Sequence, residues 1–103
     1  MKRDEVLRLL EAHQEELARF GVRSLALFGS VARDEAAPGS DVDFLVEFEG
    51  AATFDRYVEL IAYLENLLGC SVDLITRRSL RPYLRSSVEQ DLRYVPGLSP
   101  VPR

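Results

Sequence analysis

Residues 41–48, DVDFLVEF, alternate strictly between two kinds of side chain. Val42, Phe44, Val46 and Phe48 point one way, while Asp41, Asp43, Leu45 and Glu47 point the other. A period of two over eight residues is a strand, and it puts two carboxylates side by side on one face. Such a strand belongs in a sheet whose apolar side is covered and whose other side meets solvent. Helices are therefore expected on the Val42/Phe44/Val46/Phe48 side, with the aspartate row left open.

The rest of the chain supplies those helices and further strands. Val6, Leu7, Leu10, Leu17 and Phe20 recur at helical spacing over 5–20, between Asp4 as N-cap and Gly21 as stop. SLALF at 24–28 is of strand length, and a short helix fits 30–35 before the turn at Pro38-Gly39-Ser40. Phe54, Tyr57, Val58, Ile61, Leu64 and Leu68 form one stripe of a helix over 54–68, capped by Thr53 and ended by Gly69. SVDLI at 71–75 reads as a strand and Ser79 to about 90 as a helix with Pro82 in its first turn. DLRYV can add an edge strand. The order α-β-α-β-α-β-α-(β) predicts an α+β (α/β) domain with a small mixed sheet and helices mostly on one face. At 103 residues the chain is expected to be one domain, 1–103, with a loose Pro-rich tail at 96–103.

Composition narrows the function. Thirteen basic against seventeen acidic residues leave a net charge of −4. That balance disfavours sequence-independent binding to nucleic acid, which needs basic surface to displace counterions, and gives no attraction to an anionic membrane. No apolar run approaches the roughly 20 residues of a membrane helix, and the charged N-terminus does not read as a signal peptide. A cytoplasmic location is expected. The single Cys70 and single His13 provide neither an internal disulfide nor a zinc site.

Three short signals carry chemistry. Gly29-Ser30 follows a strand and opens a short helix, where free backbone N–H groups suit phosphate. Asp41-Val42-Asp43 sets two carboxylates against each other, and a divalent cation offsets their repulsion. Mg²⁺ prefers one or two carboxylates together with waters and substrate phosphates. Asp73 lies in an otherwise apolar strand, where a lone carboxylate is costly unless paired or metal-bound. Singly, each has an ordinary structural explanation: a strand-to-helix turn, a solvated strand start, an outward residue of a half-exposed strand. In the order Gly-Ser, ten residues, Asp-x-Asp on the next strand, then Asp on a later strand, they describe a triphosphate site.

The run LFGSVARDEAAPGSDVDFLVEF resembles the nucleotidyltransferase superfamily that includes DNA polymerase β. It resembles most closely the minimal nucleotidyltransferases, antitoxin partners of HEPN-type toxins. Helix 54–68, LLGCSVDLIT and SLRPYLRSSV extend the likeness over most of the chain. The resemblance implies a polymerase β-like nucleotidyltransferase fold in which Gly29 and Ser30 hold nucleotide phosphates. Asp41, Asp43 and Asp73 would be the catalytic and metal residues for two Mg²⁺ ions, with Asp73 helping to deprotonate the attacking hydroxyl. ATP would be the substrate, AMP the group moved, and a tyrosine of a HEPN-type toxin the acceptor. Assembly with that partner is expected ahead of a homodimer. Asp34 departs from the family, which often has Gly after this Arg; it adds negative charge and bears on how the short helix ends.

Arg33 lies on the motif helix within reach of nucleotide phosphate, with a solvated helix arginine as the alternative. Arg77, Arg78, Arg81 and Arg85 form a basic cluster that reads first as a solvated helix start. His13 is expected to be exposed and without a role, the four tyrosines to pack, and Cys70 to fill space. Two other functions remain open on the sequence: a catalytically silent module that neutralises a toxin by contact, and nucleotidyl transfer to a small molecule or RNA.

Overall fold

The computed structural model describes residues 1–98. Helices α1 (Arg3–Ala12) and α2 (Gln14–Arg19) precede β1 (Val22–Phe28), α3 (Gly29–Ala32) and β2 (Val42–Phe48). Helix α4 (Phe54–Leu68), β3 (Val72–Thr76), a 3₁₀ turn at Arg77–Ser79, α5 (Pro82–Asp91) and β4 (Arg93–Tyr94) complete the chain. The four strands form one mixed sheet in the order β3-β2-β1-β4. β1 runs antiparallel to both β2 and β4, and β2 runs parallel to β3 through the α4 crossover. The domain is α+β, as the alternation of periods predicts.

The alternation along β2 does what it implies. Val42, Phe44 and Val46 are buried with Leu25 and Leu27 of β1 and Leu74 of β3. Val6 and Leu10 of α1, Leu17 of α2, and Leu60, Leu64 and Leu68 of α4 close over that face. Helix α4 keeps the predicted bounds because both ends are chemically marked. The Thr53 hydroxyl accepts from the Arg56 N–H at 3.2 Å, and Gly69 takes the left-handed conformation at φ +71°.

Several features differ from the sequence reading. Phe54 and Val58 of the predicted α4 stripe are exposed while Leu60 is buried in their stead, and the short helix is Gly29–Ala32 rather than 30–35. The first helix breaks at His13, whose N–H turns to the Leu10 carbonyl while its Nδ1–H takes the Leu9 carbonyl at 2.8 Å. Lys2, rather than Asp4, precedes the first turn, and its N–H donates to the Glu5 carboxylate at 3.0 Å. The last helix starts at Pro82 because Ser79 is spent on the 3₁₀ turn, where its N–H donates to the Thr76 hydroxyl. The predicted loose tail is docked at its start: Leu98 is buried, and its carbonyl accepts from the Leu25 N–H at 3.0 Å. Residues 99–103 lie outside the described part.

The aspartate-bearing face is only partly open. Cross-strand partners Ala26 and Leu45 lie on that face and are buried. Leu80 and Val88, buried outside the main core, belong to the turn and helix that pack here. Helix α5 is thus the exception to helices on one side. It covers the middle of the sheet and leaves the start of β2 and β3 accessible. Among the described residues no helix is long and apolar enough to cross a membrane.

Candidate active site

Gly29 ends β1 and begins α3 with φ +76°, a conformation glycine adopts without strain. Its Cα backs directly onto Asp43. A Cβ built at Gly29 would stand 2.2 Å from Asp43 Oδ2, so only glycine lets the loop and the carboxylate share this space. Ser30 is half-buried next to it, and its hydroxyl makes no hydrogen bond among the described residues.

Asp43 pairs in register with Phe28 on one side and with Asp73 on the other. Parallel register partners present their side chains to the same face of neighbouring strands about 4.8 Å apart. Asp73 therefore stands beside Asp43, although thirty residues separate them in the chain. Asp41 lies just before β2, where the Val42 N–H donates to the Ser71 carbonyl at 3.0 Å and ties the two strand starts together. The structure thus gathers Gly29, Ser30, Asp41, Asp43 and Asp73 at one end of the sheet.

The electrostatics of this end are only partly compensated. Partial burial, then the charges of Asp73 and Asp41, push the Asp43 carboxyl up from 3.8 to about 6; the Arg33 charge opposes them. Asp41 and Asp73 are exposed. Among the described residues no three acidic, His or Cys side chains close into a ready-made metal cage. The donor set is instead open, all oxygen and anionic. It fits Mg²⁺, which retains waters and substrate phosphates, and not an ion that demands a full protein cage. A cleft of about 440 Å³ opens beside Asp41, lined by Val31, Pro38, Ser40, Val42, Cys70 and Ser71 among others.

Arg33 is near this cluster but not free. Its Nε donates to Glu35 Oε1 at 3.0 Å and its Nη1 to Asp91 Oδ2 at the end of α5. These two carboxylates raise the pKa of the guanidinium further. Asp34 takes the left-handed position at φ +57°, as a glycine would. Its carboxylate turns to α1, accepting from the Arg3 N–H at 2.8 Å, so its charge is answered there. Of the four clustered arginines, Arg77 is engaged, with Glu47 at 3.5 Å and the Tyr94 hydroxyl at 3.1 Å, while Arg78, Arg81 and Arg85 are exposed. Tyr57 and Tyr63 pack as expected, Tyr57 donating to the Leu74 carbonyl and Tyr63 meeting Phe20 at 4.9 Å. Tyr83 does not pack; it is 75% exposed. Asp91 escaped the sequence reading. Its only local signal is an acid at the C-terminal end of a helix, where the dipole disfavours one.

A family model described as a nucleotidyltransferase domain matches residues 8–95. This chain belongs to that family. It is a nucleotidyltransferase, and its relatives are of the minimal kind. It is 46% identical over 95 residues to a Methanocaldococcus jannaschii protein named "Putative protein adenylyltransferase MJ1379", covering 88% of this chain and 95% of that one. It is 44% identical over 93 residues to the protein adenylyltransferase MntA of Thermococcus cleftensis, covering 89% and 94%. A solved structure described as a "putative minimal nucleotidyltransferase" superposes with a TM-score of 0.76 at 39% identity, over 90% of this chain and 95% of the other. Two complexes share the fold at lower identity. One is a toxin–antitoxin with AMP-PNP: TM-score 0.67, 22% identity, 92% of this chain and 73% of that one. The other is a tri-AMPylated Shewanella oneidensis HEPN toxin with its MNT antitoxin: TM-score 0.61, 24% identity, 86% and 71%.

Proposed function

We propose that the chain, acting as one domain in the cytoplasm, is an antitoxin that transfers AMP from ATP to a tyrosine hydroxyl of a HEPN-type toxin. The observation that carries this reading is the packing of Gly29 against Asp43, with Asp73 in register beside it. The relatives' names supply the adenylyl group and the protein acceptor, and the toxin complexes supply the class of partner.

The roles follow from charge and position. Asp41, Asp43 and Asp73 would hold two Mg²⁺ ions. When bound, such ions neutralise charge that develops on the attacking and leaving oxygens of an in-line displacement. Gly29 keeps the backbone close enough to meet phosphate, and the Ser30 hydroxyl donates to a phosphate oxygen. Arg33 adds a positive charge at the polyphosphate. Asp73, exposed on the edge strand, accepts the proton of the tyrosine hydroxyl. The tyrosine oxygen then bonds to the α-phosphorus, the bond to the β-phosphate bridging oxygen breaks, and pyrophosphate leaves.

The test is to incubate the protein with Mg²⁺, α-labelled ATP and a HEPN-type toxin from its source, beside Asp43→Asn. Label on a toxin tyrosine with the parent protein alone supports the reading. No label while the toxin is still captured identifies neutralisation by contact, and label on RNA or a small molecule moves the acceptor class.

A further inference from the structure

Asp91 is poorly placed for the helix that carries it. It is the last residue of α5, the negative end of the helix dipole, and the last turn holds no basic residue. Its side chain is only 19% exposed, so its charge is also partly desolvated. Asp91 is answered across 58 residues of sequence by Arg33 Nη1. Arg33 in turn closes α3, its N–H donating to the Gly29 carbonyl at 3.2 Å. A carboxylate that costs its own helix stability is thus anchored to the segment that carries Gly29 and Ser30.

Asp91 also has an effect on its neighbour. Arg33 is hydrogen-bonded through its backbone to Gly29, and Gly29 packs against the Asp43 carboxylate, so a guanidinium on its long side chain starts from the same end of the sheet as that acid. Pairing with Asp43 would set Arg33 against cations for the same oxygens. Glu35 is a weak restraint on this, because it is two residues away and 65% exposed. The second bond, from α5, ties the guanidinium to an element distant in the chain.

We propose that Asp91 is a positioning residue for nucleotidyl transfer: it holds Arg33 beside the carboxylate cluster and off it, so that the guanidinium meets the polyphosphate of the nucleotide. This rests on the proposed role of Arg33 in binding ATP. The residue acts through Arg33 and touches no reacting atom.

The experiment measures calorimetric binding of ATP with Mg²⁺, and KM and kcat for transfer, in the parent protein, Asp91→Asn, Asp91→Glu, Arg33→Gln and the Arg33→Gln/Asp91→Asn pair. Asp91→Asn should weaken nucleotide binding and raise KM about five- to tenfold, with kcat at saturating ATP within about twofold. Asp91→Glu should recover most of the loss. In the Arg33→Gln background, Asp91→Asn should change nothing further. Should Asp91→Asn not fold, Asp91→Glu, whose extra methylene displaces the guanidinium, should still show a smaller rise in KM at an unchanged kcat. Parent-like binding by Asp91→Asn, or an equal loss with and without Arg33, overturns the positioning role while leaving the transferase reading intact. A parent protein that binds no ATP overturns both.

Discussion

Asp43 and Glu47 lie on the same face of the same strand, four residues apart, and are treated in opposite ways. Glu47 Oε1 accepts from the Ser24 hydroxyl at 3.1 Å and lies 3.5 Å from Arg77. Asp43 has Asp73 as its register partner, Asp41 two residues before it, and the backbone of Gly29 pressed against its carboxylate. One end of the sheet is arranged to neutralise an acid, the other to concentrate acids. A fold under selection for stability alone has no reason to build the second arrangement, and that contrast marks the candidate functional end more plainly than cavity shape does. Indeed, the cleft of about 340 Å³ at the Glu47 end contains Arg77 and Arg78 but none of the three aspartates.

The contrast is testable by substitution. The largest effect is expected from Asp43→Asn, which should reduce Mg²⁺-dependent AMP transfer on the order of 10³-fold, whereas Glu47→Gln should leave it within about threefold. Labelled-ATP assays on both variants check this, and equal losses would erase the distinction between the two ends. Next is Gly29→Ala. The new methyl meets Asp43 Oδ2 and the backbone is held at φ +76°, so transfer should fall about 100-fold and stability by about 1–2 kcal/mol, read by kinetics and thermal melting.

Smaller effects separate the two carboxylates by stability. The folded Asp43 carboxyl titrates at about 6 rather than 3.8, so between those values the folded chain binds more protons than the unfolded one. Stability in EDTA should therefore fall as pH rises from about 4 through 6. Asp43→Asn should flatten that slope and stabilise the protein at pH 7 by about 1 kcal/mol, after allowing for solvent screening. Melting curves across pH 4–8 would show this, and an unchanged slope would remove Asp43 as its source. Smallest is Arg77→Met, which leaves Glu47 only the Ser24 hydroxyl and should lower stability by up to about 1 kcal/mol while leaving transfer at saturating ATP unchanged.

Legibility in the sequence followed the range of the interaction. Helix α4 and strand β2 were readable because their caps and their alternation are local. The three aspartates were readable as a pattern, since strand, helix and strand bring Asp73 beside Asp43 by topology. The break at His13 was not: it depends on an imidazole taking a carbonyl that helical periodicity assigns to the backbone. Nor were the partners of Arg33 and Arg77, which come from elements far along the chain. An isolated arginine reads as solvated until the fold decides what stands opposite it.

The pairing of Asp43 with Asp73 has a consequence for how errors are rejected. Along β3 the side chains alternate, with Leu74 buried and Asp73 exposed. A slip of one residue against β2 would turn Asp73 inward and Leu74 out to water. A misthreaded edge strand would therefore lose core packing and the pairing of the two aspartates in the same event. Leu74, which touches no chemistry, acts as the proofreader of the proposed site.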